Sequence, residues 1–298
     1  MVLAVLSVGI APRAAAAAPG VPAAVQRYAP YIYLAPGERY LPADAGNYVA
    51  NSSLAWSRDG NCPDDTVADV GAVDPAKLGG GGYQHRIASS VCIDHGRQWR
   101  SNDHTRPRDA KPGVPEREGF FLQSPDRYTG GQSRTAPAYF EYHPHQYVTY
   151  WFFYNFNDAP GPTNFFDHQG DWERITVRLD KNDRATAVAY FQHTESCVVP
   201  WGQAGKHDGR PLAYSALGTH ATYPSRFSPT ALADGLASDT IGRGDAWSTA
   251  GHLLNARTQP WFGFGGAWGQ VGSTPDSTGP LGPSRFKGAV PRDWSKQC

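Results

Sequence analysis

Charge is what this sequence has little of. Asp, Glu, Lys and Arg make up 18% of the 298 residues, acids and bases balance at 27 each, and no basic run stands out. A chain without a positive surplus has no electrostatic footprint for a polyanion, so nucleic acid is not an expected partner. Beyond the first residues no stretch is long and apolar enough to span a bilayer. Neither an internal repeat nor a heptad recurs, which argues against solenoids and coiled coils. The Gly-x-Ser-x-Gly elbow is missing too, so a serine hydrolase of the common type is disfavoured. Cysteine is sparse: Cys62, Cys92, Cys197 and Cys298 match no zinc spacing, and none has a nucleophile-like setting beside a His.

Glycine (33), proline (25) and aromatic residues (9 Trp, 15 Tyr, 13 Phe) are plentiful. That balance favours a mainly β protein, with a β-sandwich or jelly-roll-like core and long Gly/Pro-rich loops, over a helical bundle. Residues 1–18 read as a signal peptide: an apolar Met1–Ile10, then an Ala-rich cleavage region before Pro19. The expectation is a secreted, extracellular protein with one domain over 19–298, irregular over 19–137 and strand-rich over 138–298. In an exported chain four cysteines imply two disulfides, and Cys62–Cys92 and Cys197–Cys298 are the expected pairs.

In the irregular part, Tyr28–Leu34 reads as a short aromatic strand, and Glu38–Pro42 follows a Pro-Gly turn. The stretch from Asp64 to Gly82, ending in four glycines, reads as an exposed loop, as does the Pro-rich Asp103–Glu118. His85, His95 and His104 have no ligand-like spacing and are expected on surfaces or loops. Further on, Tyr147–Phe156 is a nearly continuous aromatic run suited to a buried strand. Asp171–Leu179 and Ala185–His193 flank an Asp180–Asp183 hairpin turn, and Arg210–Gly218 reads as a fourth neighbouring strand. Trp261–Gly269 and Gly279–Pro283 read as packed loop.

The stretch from Asn164 to Leu179 organises the rest. Asp171, Glu173, Ile175, Val177 and Leu179 alternate with Trp172, Arg174, Thr176 and Arg178, the period of a half-buried strand with Trp172 on its outer face. Two carboxylates at the mouth of an apolar face repel each other and lose hydration, so they need a cation, an Arg or a shared proton. His168 lies in the loop before the strand, Gln192 and His193 at the matching end of the hairpin, His220 after the fourth strand, and Asp158 beyond the aromatic one. An oxygen-rich set with imidazoles suits Ca²⁺, Mg²⁺ or Mn²⁺. The blander alternative is a structural network in which Asp171 and Glu173 pair with Arg residues such as Arg134 or Arg226.

These motifs carry a resemblance. His168-Gln-Gly-Asp-Trp-Glu173, Ala216-Leu-Gly-Thr-His-Ala-Thr-Tyr-Pro224, Trp261–Gly269 and Gly279–Pro283 resemble ordered segments of the Vps62-related family, over about Tyr150 to Pro283. The same strand is more distantly similar to the Gly-His-Arg-His-Asp-Trp-Glu heptapeptide of the necrosis-inducing, Nep1-like proteins, secreted β-sandwich cytolysins that bind a divalent cation and sphingolipid head groups. That likeness implies Asp158, His168, Asp171 and Glu173 as metal ligands. The chain departs from the heptapeptide in having Asp167 for its Gly and Gly170 for its second His. The functions implied are a metal-binding module for a polar lipid or glycan head group, with peripheral contact to a membrane; a metal-dependent hydrolase of phosphoesters or acyl esters, with His193 or His220 as general base or acid; and a non-catalytic structural module.

Overall fold

Two long strands, Tyr147–Asn157 and His168–Leu179, form the spine of the molecule and pair antiparallel over their whole length. The computed structural model describes residues 20–58, 63–85, 98–105, 118–160, 166–192, 195–228, 238–272, 274–286 and 288–298. Residues 1–18, read above as a signal peptide, and Cys62, Cys92, His95 and His193 lie outside them. In chain order the described strands are β1 (Tyr31–Leu34), β2 (Ser53–Ser57), β3 (Asp65–Ala68), β4 (Gly119–Gln123), β5 (Ala138–His143), β6 (Tyr147–Asn157) and β7 (His168–Leu179). They continue as β8 (Ala185–Gln192), β9 (Glu195–Pro200), β10 (Lys206–His207), β11 (Arg210–Ser215), β12 (Thr222–Tyr223), β13 (Ala246–Ser248) and β14 (Leu253–Asn255). Three short helices, α1 (Ala23–Arg27), α2 (Ala45–Ala50) and α3 (Pro75–Gly79), complete a mainly β architecture.

The strands form a six-stranded central sheet, β14-β5-β6-β7-β8-β9, and two smaller sheets, β10-β11-β1-β13 with β12 on β11, and β3-β2-β4. The pleat of β6 explains the stacking. Val148, Tyr150, Phe152 and Tyr154 join one core with Ile32, Leu34, Ala213 and Trp247 of the β1 sheet. Trp151 and Phe153 join a second core with Leu54, Trp56, Phe120 and Leu122 of the β2 sheet and with the tryptophan-rich loop. Alternate residues of one strand thus feed two cores, as in sheets packed face to face. Trp261 and Trp268 are buried at 1% exposure and anchor that loop, while Trp201 packs edge-on against Tyr28. Cys197 and Cys298 are disulfide-bonded, tying the last residue to β9 as expected.

Several expectations need correction. β7 is buried on both faces: Trp172 and Arg174 are each 1% exposed, beneath a layer that period two cannot reveal. The guanidinium of Arg174 lies 4.0 Å from the Phe191 ring centre, 4.3 Å from Phe286 and 5.6 Å from Trp151 rather than in water. The stretch from Asp64 to Gly82 is not a plain loop. It contains β3 and α3, whose start is set by Pro75 and by Asp74, which accepts from Lys77 N at 2.8 Å. His85 is buried against Trp56, with ring centres 4.2 Å apart. β11 belongs to the facing sheet, parallel to β1, and is not a neighbour of β8. Among the described residues no helix is long and apolar enough to cross a membrane.

Candidate functional site

The β6–β7 register places Asp171 opposite Tyr154 and Glu173 opposite Phe152. Both carboxylates therefore enter the core shared with the β1 sheet, and the neighbouring loops of that sheet reach them. The turn after β11 delivers His220, and the turn after β1 delivers Glu38. His220 is fully buried between the two acids, with Nδ1 2.9 Å from Asp171 Oδ2 and Nε2 3.6 Å from Glu38 Oε1. Its ring lies flat on Tyr154, centres 3.7 Å apart and planes 5° apart.

The local backbone holds this pose. His220 has φ +56°, in the left-handed region. Gly218, two residues earlier, has φ +73°, and a Cβ there would lie 1.9 Å from the Asp158 carbonyl oxygen. The Asp158 N–H donates to the Gly218 carbonyl at 2.9 Å, while the Gly218 N–H donates to Glu38 Oε2 at 2.7 Å. The Gly-Thr-His turn is thus pinned to the end of β6 and to Glu38 at once.

Electrostatics fixes the charge states. Burial works against a charged His220, but Glu38 and Asp171 outweigh it and hold the imidazole up at about 10, so it is an imidazolium at neutral pH. Burial likewise raises Glu38, but His220 and the Gly218 and Tyr40 N–H groups override it and lower the carboxyl to about 2. Glu173 is different. Burial, then the nearby Asp171, pushes it well above the usual carboxylate range, and its Oε2 is buried with no hydrogen-bond partner among the described residues. Asp239 adds a fourth buried carboxylate, accepting from Thr219 Oγ1 at 2.6 Å and from Tyr223 OH at 2.7 Å.

The sequence-derived residues fall into two groups. Asp171, Glu173 and His220 come together in the core. Asp158 and His168 sit at the rim, where Asp158 is held by Arg39 at 2.7 Å and by Arg127 at 3.2 Å. His168 is the first residue of β7 rather than part of a loop, and its Nδ1 donates to the Gly170 carbonyl at 2.8 Å. In a neutral ring that leaves Nε2 with the lone pair, the tautomer of a metal-ligating histidine. Gln192 does not line up with Asp171: the β7–β8 ladder stops at Ile175–Tyr190, because Thr222 wedges in, donating to the Arg174 carbonyl at 2.9 Å. Arg134 pairs with Asp245 and Arg226 stacks on Phe227, so neither neutralises β7.

A divalent cation can be judged against these residues. The orphaned Glu173 oxygen, the adjacent Asp171 and the His168 tautomer are the right donor chemistry. The Asp158 oxygens are already taken by arginines, and among the described residues no group of three or more His, Cys, Asp or Glu side chains is gathered closely enough to hold an ion. Glu38, Arg39, Arg127 and Tyr154 are contributors that the sequence did not point to. Glu38 lies 133 residues before Asp171, and only the sheet stacking brings it near. Fold and site together define a mainly β protein with a carboxylate-rich core centred on one buried imidazolium. No family model, curated protein or solved structure matches the chain.

Proposed function

We propose that the carboxylate end of β7 binds a divalent cation (Ca²⁺, Mg²⁺ or Mn²⁺) and, with it, a polar lipid or glycan head group, in a secreted binding module related to the Vps62-related and Nep1-like proteins. The observation that carries this reading is Glu173. A buried carboxylate beside a second one, with an oxygen that has no hydrogen-bond partner among the described residues, calls for a proton or a cation. Glu173 and Asp171 would supply the first donors, and His168, which is apart from them as the chain stands, would have to swing in from the rim. Asp158 would join once Arg39 and Arg127, 76% and 44% exposed, turn outward, which is a small penalty for surface pairs. The ion would supply positive charge and open coordination positions for head-group oxygens.

A hydrolase needs a base with a lone pair. His220 at neutral pH has none, because both its carboxylate neighbours keep it protonated, and His193, the other candidate base, lies outside the described residues; binding is the reading taken here. The test is co-sedimentation with glycosphingolipid vesicles, in each of the three cations and in EDTA. Wild type is expected to sediment only with a cation and Glu173→Gln not at all. Equal sedimentation of both proteins in EDTA would overturn the reading.

A further inference from the structure

At the other end of the same two strands, on the opposite face, lies a cleft of about 310 Å³ that the carboxylate cluster does not touch. It is built from four separate parts of the chain. Glu141, His143, Tyr147 and Thr149 come from the β5–β6 hairpin, Arg257 from the turn after β14, Phe262 from the tryptophan-rich loop, and Ser284 from the C-terminal segment. The size suits one small ligand ring, at the lower end of ligand-pocket volumes.

Glu141 is held in place, whereas the Arg257 side chain, paired with it, is 56% exposed. Glu141 is 7% exposed. It accepts from Trp151 Nε1 at 3.2 Å through one oxygen and from Arg257 Nε at 3.0 Å through the other. The Arg257 backbone is fixed by Asn255 Oδ1, which accepts from its N–H at 3.0 Å. A second guanidinium nitrogen faces His143 Nε2 at 3.4 Å, leaving Nη1 without a partner among the described residues. The His143 and Tyr147 rings pack in a tilted contact, centres 4.4 Å and planes 31° apart, and form an aromatic wall. Ser284 lines the same space, and its buried hydroxyl oxygen has no hydrogen-bond partner among the described residues.

A pre-set guanidinium edge matches a carboxylate, an aromatic plane matches the apolar face of a sugar ring, and a lone hydroxyl with a fixed carboxylate matches ring hydroxyls. We infer that this cleft binds an acidic monosaccharide unit, a uronic-acid residue of a glycan, with its carboxylate on Arg257 and its ring against His143 and Tyr147. The inference is independent of the cation reading, since the two sites share no residue.

The probes are free glucuronate, its methyl ester and glucose, titrated by ligand-observed NMR against the full chain in EDTA, so that cation binding plays no part. Glucuronate is expected to bind saturably, the ester and glucose about tenfold or more weaker, as follows from losing one charge-assisted contact. Arg257→Gln is expected to remove the preference for the acid. Because that change also loosens Glu141, Ser284→Ala serves as a second variant and is expected to weaken glucuronate severalfold while the circular dichroism spectrum stays that of wild type. Absence of glucuronate binding to wild type, or unchanged binding and preference in folded Arg257→Gln, would overturn the inference.

Discussion

Glu173 and Arg174 are neighbours in sequence, opposite in charge, and buried on opposite faces of one strand. Arg174 has an environment that suits it: three aromatic rings around the guanidinium and the Gly288 carbonyl accepting from Nε at 3.1 Å. Burial still lowers it to about 10, but it remains charged at neutral pH. Glu173 has no ion-pair partner among the described residues, and the buried His220 beside Asp171 is already shared by Glu38 and Asp171. The contrast is one of degree, since Arg174 Nη1, like Glu173 Oε2, is buried without a hydrogen-bond partner among the described residues. The aromatic face is the more nearly finished of the two, because three rings face its cation, whereas the acidic face sets a second carboxylate beside Glu173 and invites a proton or a cation.

The comparison can be broken first on its finished side. Truncating Arg174→Ala removes a buried cation and leaves a void among three rings, and is expected to destabilise by about 4 kcal/mol in urea unfolding. Arg174→Met, which refills most of the volume, is expected to recover more than half of that loss. Equal effects of the two would mean that charge, not packing, is what the aromatic cage needs.

On the acidic side, His220→Gln takes away the imidazolium that Glu38 and Asp171 share, with an expected loss of about 3 kcal/mol near pH 6. The pH dependence identifies the cause. His220 is raised from 6.5 to about 10, so its contribution is complete below 6.5 and lost as pH rises through about 10. Glu38 is lowered from 4.5 to about 2, so its contribution is complete above 4.5 and lost as pH falls through about 2. The His220–Glu38 pair should therefore contribute most between pH 4.5 and 6.5 and less on both sides, with Glu173 adding a separate decline as pH rises past 4.5, and His220→Gln should flatten both limbs of the pair's contribution. The smallest effect is expected at the rim. Asp158→Asn should change stability by less than about 1 kcal/mol, and that difference should vanish in molar salt, because Arg39 and Arg127 are exposed partners.

The parts legible in the sequence are those where one strand carries its own signal. The aromatic run gave β6, the alternation gave β7, the Asp180–Asp183 turn gave the hairpin to β8, and the composition gave the mainly β class. The second buried face of β7 was hidden, since Arg174 and Thr176 look like solvent residues until Phe286 and Ala289 cover them. The site was legible only along β7 itself. His220 was visible as a lone histidine in a Gly-Thr-His turn, but its clamp by Glu38 depends on β1 lying parallel to β11, a pairing of strands about 180 residues apart that no local pattern encodes.

The most direct measurement is the melting temperature of wild type and Glu173→Gln, first in EDTA and then with Ca²⁺, Mg²⁺, Mn²⁺ or Zn²⁺. In EDTA at pH 7 the variant should melt at or above wild type. The folded pKa of Glu173 lies above its unfolded value, so its charged form opposes folding as pH rises past the ordinary carboxylate range. At least one of Ca²⁺, Mg²⁺ and Mn²⁺ should then raise wild type and leave the variant where it was. No shift of wild type with any of the four ions would contradict the account, leaving Glu173 as a buried acid kept neutral by its proton.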